Sequence, residues 1–271
     1  MERYMRFHLG KAKALTLSYD DGVKQDARFI ELLKSHGIKG TFNLNSGRFG
    51  TGRRLDEDAV KNLYFGSGME VAMHGFNHAW PNALKGPEIY KEYITDKENL
   101  EKLFGKVVRG MAYAYGVYTE EVVSVLKELG VAYSRTINNT HTFDIPTDWL
   151  KLNPTCHHND PKLNDLADWF IQLNPNTYYN KQPLLFYLWG HTYEFDDNNN
   201  WNIIEDFCAK MGGNEDIWYA TNIEVYDYVK AYEGLSFSSD NTLVYNPSTI
   251  DVYFRLGEKD CLAKAGETTK I

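Results

Sequence analysis

Apolar and polar positions alternate along the chain in two rhythms that follow one another in turn. Short apolar runs predict strands at Ala14 to Ser18, Lys39 to Leu44, Met69 to Met73, Gly110 to Ala114, Ala132 to Thr136, Leu184 to Trp189 and Ile217 to Tyr219. Segments with helical spacing lie between them: Ala27 to His36, Asp56 to Phe65, Pro87 to Phe104, a helix capped by Thr119 and ending at Leu129, Leu163 to Leu173, Asn202 to Met211, and Asn222 to Tyr232. Strand-then-helix units predict a parallel sheet covered by helices. About seven units imply a closed or nearly closed barrel, with a doubly wound open sheet as the alternative. The rhythm changes after Glu233. There GLSFSSDNTLVYNPSTIDVYFRLG alternates apolar and polar residues broken by turn formers, which predicts a small β appendage. The expected organisation is one α/β domain over 1–233 and a β-strand extension over 234–271.

Composition narrows the field. A hydrophobic fraction of 43% supports a packed core. With a formal net charge of −8 and no run of Lys and Arg to neutralise phosphates, nothing points to a nucleic-acid partner, and none is expected. Three cysteines without a CxxC pair argue against a thiolate metal site and a disulfide framework. No apolar run reaches the ~18 residues that a membrane span needs. The N-terminus shows no signal-peptide pattern, so a cytoplasmic location is expected if the chain is complete, and an extracellular one if a leader was removed.

In a parallel α/β architecture, functional groups gather where strands end. Four strand ends carry them. LTLSYDDG (15–22) runs into adjacent carboxylates, Asp20 and Asp21, which repel unless a cation or proton intervenes. MEVAMHGFNH (69–78) places His74 and His78 four apart; on a helical turn both rings would project from one face and suit one metal ion. LWGH (188–191) ends the most apolar strand on His191, a group able to deliver a proton near neutral pH. MAYAYG (111–116) brings Tyr115 and Gly116 to a turn whose backbone N–H can face an oxyanion.

Together these residues resemble the polysaccharide deacetylases that share the NodB homology domain, carbohydrate esterase family 4. LTLSYDDG is similar to the TFDDG first motif, with Tyr19 for Phe. HGFNH is similar to the H-[S/T]-x-x-H second motif, with Gly75 for the hydroxyl residue. AYAYG stands where R-x-P-[Y/F]-G belongs, with Ala112 for the Arg and Ala114 for the Pro. DLADW (165–169) fits the letters of the fourth motif, D-x-x-D-W, and LWGH fits the fifth, L-x-x-H. The resemblance spans about residues 10 to 232. It implies a distorted (β/α)7 barrel holding one divalent metal, zinc first, with cobalt or nickel as alternatives. It also implies Asp21, His74 and His78 as metal ligands, Asp20 as catalytic base, His191 as general acid, and the Tyr115 N–H at the oxyanion.

Arg135, at the end of the next strand, is the candidate by position to replace the missing Arg. Arg135 and Trp189 are also expected to meet substrate. The expected activity is removal of an acyl group, acetyl above all, from an amide nitrogen of an N-acetylated sugar or oligosaccharide. A ureide-type amidohydrolase of small molecules and a catalytically weak carbohydrate-binding barrel are the alternatives. His157 and His158, on the 137–162 loop, are read as substrate contacts or solvated loop residues.

Overall fold

A computed structural model describes residues 2–177 and 181–271. The strand β1 (Arg3–Arg6) precedes the alternating series β2 (Lys13–Asp20), α1 (Asp26–Ser35), β3 (Thr41–Leu44), α2 (Glu57–Tyr64), β4 (Glu70–Met73), α3 (Pro87–Phe104), β5 (Gly110–Ala112), α4 (Glu120–Glu128) and β6 (Tyr133–Arg135). Then come β7 (Cys156–His157), α5 (Leu163–Gln172), β8 (Leu184–Gly190), α6 (Tyr193–Asp197), α7 (Trp201–Met211), β9 (Ile217–Tyr219) and α8 (Asn222–Glu233). The helix starts are chemically marked. Asp56 accepts from the Ala59 N–H, Thr119 from the Val122 N–H, and Thr221 with Glu224 forms a reciprocal capping box at α8.

The strands pair in parallel in the order β6-β5-β4-β3-β2-β8-β7. The segment after β6 closes this sheet. Leu152 is bonded to Ser134 and Thr136 on one side, while the Thr155 and His158 N–H groups donate to Tyr187 and Trp189 on the other. A strand ladder that returns to its own first edge is a distorted barrel, and the open doubly wound alternative falls. β9 fills the lower half of the β2 edge, beside Lys13 to Leu15, and β3 pairs with its upper half from Ser18 to Asp20.

β2 is buried along its whole length, as a parallel strand covered on both faces should be. Its side chains alternate. Leu15, Leu17 and Tyr19 enter the apolar cluster shared with the covering helices. Thr16, Ser18 and Asp20 point the other way, where Thr16 bonds Asn222 and the Asn43 amide reaches both Ser18 and Asp20 at 2.8 Å. The barrel interior is therefore polar on this strand and leads up to the carboxylate.

Past α8 the chain forms two three-stranded antiparallel sheets, β10 (Ser236–Phe237), β11 (Leu243–Tyr245) and β14 (Thr268–Lys270) in one, and β12 (Val252–Leu256) and β13 (Lys259–Ala263) with β1 in the other. β1 was not foreseen as a strand. It contributes its edge to β12 across more than two hundred residues of sequence, so the two ends of the chain share a sheet. All three cysteines are free and buried. No helix among the described residues is long and apolar enough to cross a membrane.

Candidate active site

The two neighbouring carboxylates separate because the backbone turns between them. Asp20 is the last residue of β2 and is 2% exposed. Asp21 adopts φ +83° and Gly22 φ +64°, the left-handed region that Asp and Gly tolerate best. Asp20 thus points into the barrel and Asp21 towards the mouth, where it pairs with Arg54 and lies 3.9 Å from His78 Nε2.

Asp20 is held from below by Arg135, whose guanidinium is fully buried and donates to its Oδ2. Arg135 is the register partner of Ala112 on the adjacent strand. Where the resemblance places an Arg on β5, this chain has a small residue there and supplies the guanidinium from β6. The same guanidinium lies 4.4 Å from the centre of the Trp189 ring. Burial pushes the Asp20 carboxyl up, but the charges of Arg135, His74 and His191 outweigh it and hold the group at about 2. Arg135 and Trp189 were expected at a substrate surface. Both are buried beneath the carboxylate instead, because the β5–β6 register turns Arg135 inward and the ring covers it.

The His74–His78 segment is a loop, not the helical turn that the i, i+4 spacing predicted. Gly75 at φ +83° and His78 at φ +56° bend it back on itself, so the rings converge at 4.8 Å between centres. A Cβ on Gly75 would lie 3.0 Å from Glu92 Oε1, which explains the missing hydroxyl residue. Glu92, from α3, accepts from the N–H groups of Asn77 and Ala79 and does the stapling in its place. Asp96, on the same helix, accepts from the His74 N–H. His74 Nδ1 donates to the Ala112 carbonyl at 2.8 Å, a partner choice that leaves Nε2 as a free electron pair. Burial, with His74 alongside, pulls His78 down to about 4, which sets that ring as a neutral donor. Ligand atoms of Asp21, His74 and His78 lie within 4.8 Å of one another, a set that can hold a metal ion.

Tyr115 sits at φ +58° in a turn whose own bonds run from the Gly116 and Val117 N–H groups, which leaves its N–H out of the turn's ladder. Its ring meets the edge of His78 and stacks on exposed Trp80 at 3.7 Å.

His191 faces Asp20 with Nε2 at 3.8 Å and Glu194 with Nδ1 at 3.3 Å. Burial lowers its pKa, but the contact with Glu194 and the charges of Asp20, Glu194 and Asp21 prevail and raise it. Sequence reasoning missed Glu194; the signal present was its i+3 spacing from His191, realised in α6. His157 and His158 are neither solvated nor at the mouth. They flank Glu194, with Nε2 atoms 3.2 and 2.9 Å from Oε2, and His158 is wholly buried. These three residues form a second group that can hold a metal. However, the Asn159 N–H donates to His157 Nδ1, which leaves the proton on Nε2 facing the carboxylate. Glu194 therefore serves as the acceptor at the centre of three imidazoles, and its pKa falls well below the carboxylate range despite burial. The ring of His158 occupies the space above Gly190, where a Cβ would lie 2.0 Å from Nδ1.

The DLADW letters lie on surface helix α5. Asp168 pairs there with Lys210, and neither Asp165 nor Asp168 approaches the site. The mouth is a cavity of about 390 Å³ lined by Asp21, Arg48, Arg53, Arg54, His78, Tyr115 and Tyr193. No residue of the 137–162 loop lines it.

Among solved structures, the chain is similar to a candidate polysaccharide deacetylase from Mycobacterium smegmatis, with 15% identity and a TM-score of 0.61, over 85% of this chain and 94% of that one. It is also similar to a family 4 carbohydrate esterase from Streptomyces lividans, with 14% identity and a TM-score of 0.52, over 76% and 91%. A pseudoenzyme of the same esterase family from Bacillus anthracis aligns with 16% identity and a TM-score of 0.51, over 81% and 66%. At such identities these likenesses show the fold. No protein of curated function matches the chain. The profile described as polysaccharide deacetylase matches residues 9–134, which carry the Asp pair, the His pair and the Tyr115 turn. Residues 9–134 are thus similar to the polysaccharide deacetylase family, and the chain shares the fold of the family 4 carbohydrate esterases.

Proposed function

We propose that this protein is a metal-dependent hydrolase that removes an acetyl group from an amide nitrogen, with N-acetylated sugars or related small amides as substrates. The observation that carries this reading is the convergence of His74 and His191 on Asp20, at 3.7 and 3.8 Å, next to the Asp21, His74 and His78 ligand set, with Asp20 seated on Arg135.

Asp21, His74 and His78 would hold a divalent metal. Two neutral imidazoles and one carboxylate are the donor set that zinc accepts while keeping open positions, and cobalt or nickel suit it too. Bound there, the ion supplies Lewis acidity, polarising the acyl oxygen and acidifying water. Asp20 accepts the proton of the water that attacks the acyl carbon. Its low pKa keeps it ionised, and the Asn43 amide with Arg135 fixes its orientation. The Tyr115 N–H donates to the oxygen that gains charge. His191, whose pKa Glu194 and Asp20 raise, gives its proton to the nitrogen as the C–N bond breaks, which releases an amine and acetate. The reading as an inactive binding barrel rested on the missing third-motif Arg, and the Arg135–Asp20 pair supplies that function from another strand.

The test is Asp20→Asn. Acetate release should fall by about 10²- to 10⁴-fold, the usual worth of a positioned general base, while metal content by elemental analysis stays at the wild-type level. Wild-type turnover in this variant refutes the assignment.

A further inference from the structure

The cavity mouth carries more basic than acidic side chains in a protein whose formal charge is −8. Three arginines, Arg48, Arg53 and Arg54, line it beside Asp21, His78 and Tyr115. They arrive on one loop that the backbone pins in place. The Leu55 N–H donates to the Gly22 carbonyl, Gly50 N–H donates to Leu55, and Val23 bridges Arg54. The Arg54 guanidinium pairs with Asp21, and Arg53 pairs with Asp197 at 2.8 Å while lying 4.4 Å from the Tyr193 ring. Arg48 makes no salt bridge among the described residues. Three guanidinium charges thus stand against two carboxylates, and His78 adds no compensating negative charge.

We infer that the substrate carries an anionic group, a phosphate or a carboxylate, close to the acylated nitrogen, and that Arg48 and Arg53 bind it at the mouth. This rests on the hydrolase reading for the position of the amide, but the arginines recognise the anion whether or not turnover follows. A planar guanidinium pair suits an oxyanion with bidentate geometry. A neutral polymer would leave Arg48 without a partner and Arg53 held only by an exposed aspartate.

Calorimetric titration of the zinc-loaded protein with glucosamine, glucosamine 6-phosphate and muramic acid tests binding with compounds that cannot be deacetylated. At least one anionic ligand should bind ten-fold or more tightly than glucosamine. The gap should shrink as salt rises to 0.5 M, because the screening length falls from about 10 Å at 0.1 M towards about 3 Å at 1 M. The phosphate and carboxylate arms show which anion is preferred. In the Arg48→Gln/Arg53→Gln double variant the preference should vanish, and in the Arg48→Lys/Arg53→Lys variant part of it should return. Equal affinity for neutral and anionic ligands, or a preference that survives the Gln pair, overturns the inference. Anion preference together with no acetate release from N-acetylglucosamine, its 6-phosphate or N-acetylmuramic acid refutes the hydrolase reading and sustains this one.

Discussion

Replacing Arg135 by Met removes a charge from beneath Asp20 while keeping most of the side-chain volume under the Trp189 ring. The structure sets the size of the effect. Asp20 lies at about 2 instead of the ordinary 3.8, a difference equivalent to about 2 kcal/mol of folding stability. Because the folded value is depressed, this contribution is present above pH 3.8 and is lost as pH falls towards 2. Without Arg135, burial is opposed by His74, His191 and the Asn43 amide, and the carboxyl rises. A buried charge left without its partner costs about 3–5 kcal/mol. At roughly 2–4 °C per kcal/mol, the melting temperature at neutral pH should drop by about 6–20 °C. The gain in stability between pH 2 and 4 should flatten or reverse. The assay is thermal unfolding against pH with a chelator present, so that a bound cation cannot substitute for the guanidinium. Adding Asp20→Asn to the Met variant removes the stranded charge and should restore part of the loss, although the same change costs the wild type its ion pair. An Arg135→Met protein with wild-type melting, pH dependence and turnover refutes the claim that this residue positions the base.

Glu194→Gln removes the carboxylate that raises the His191 pKa, so the alkaline limb of the kcat profile should move to lower pH; a limb that stays in place excludes Glu194 as its cause. Gly190→Ala puts a methyl group where the His158 ring lies, and that ring is backed by Phe195 at 4.2 Å. A loss of about 1–3 kcal/mol in stability with a fall in kcat is expected, and normal stability would show that the ring has room to move.

Much of this architecture is written in local pattern. Apolar runs with helical segments between them give seven parallel strands and their covering helices, since burial on both faces of a strand and on one face of a helix is a property of neighbouring residues. The Asp pair, the His pair and His191 are also legible, because each lies at the end of its own strand, where chain direction alone brings side chains to one mouth. The approach of the two imidazoles was foreseen, but its means was not. Gly75 and His78 reach them through left-handed turns, and the spacing alone looks helical.

Tertiary structure decided what supports those groups. Arg135 serves Asp20 because β6 pairs with β5 in the register that sets it opposite Ala112, and no spacing in the sequence encodes that register. Glu194 becomes the hub of three histidines because the chain after β6 returns to close the barrel and carries His157 and His158 beside β8. The DLADW letters, by contrast, match a motif and lie on a surface helix, since a string of letters does not specify which face of the fold it occupies. The sequence determined the residue types of the candidate site and their order. The fold determined their partners, because charge pairing depends on distances between strands that are remote in the chain.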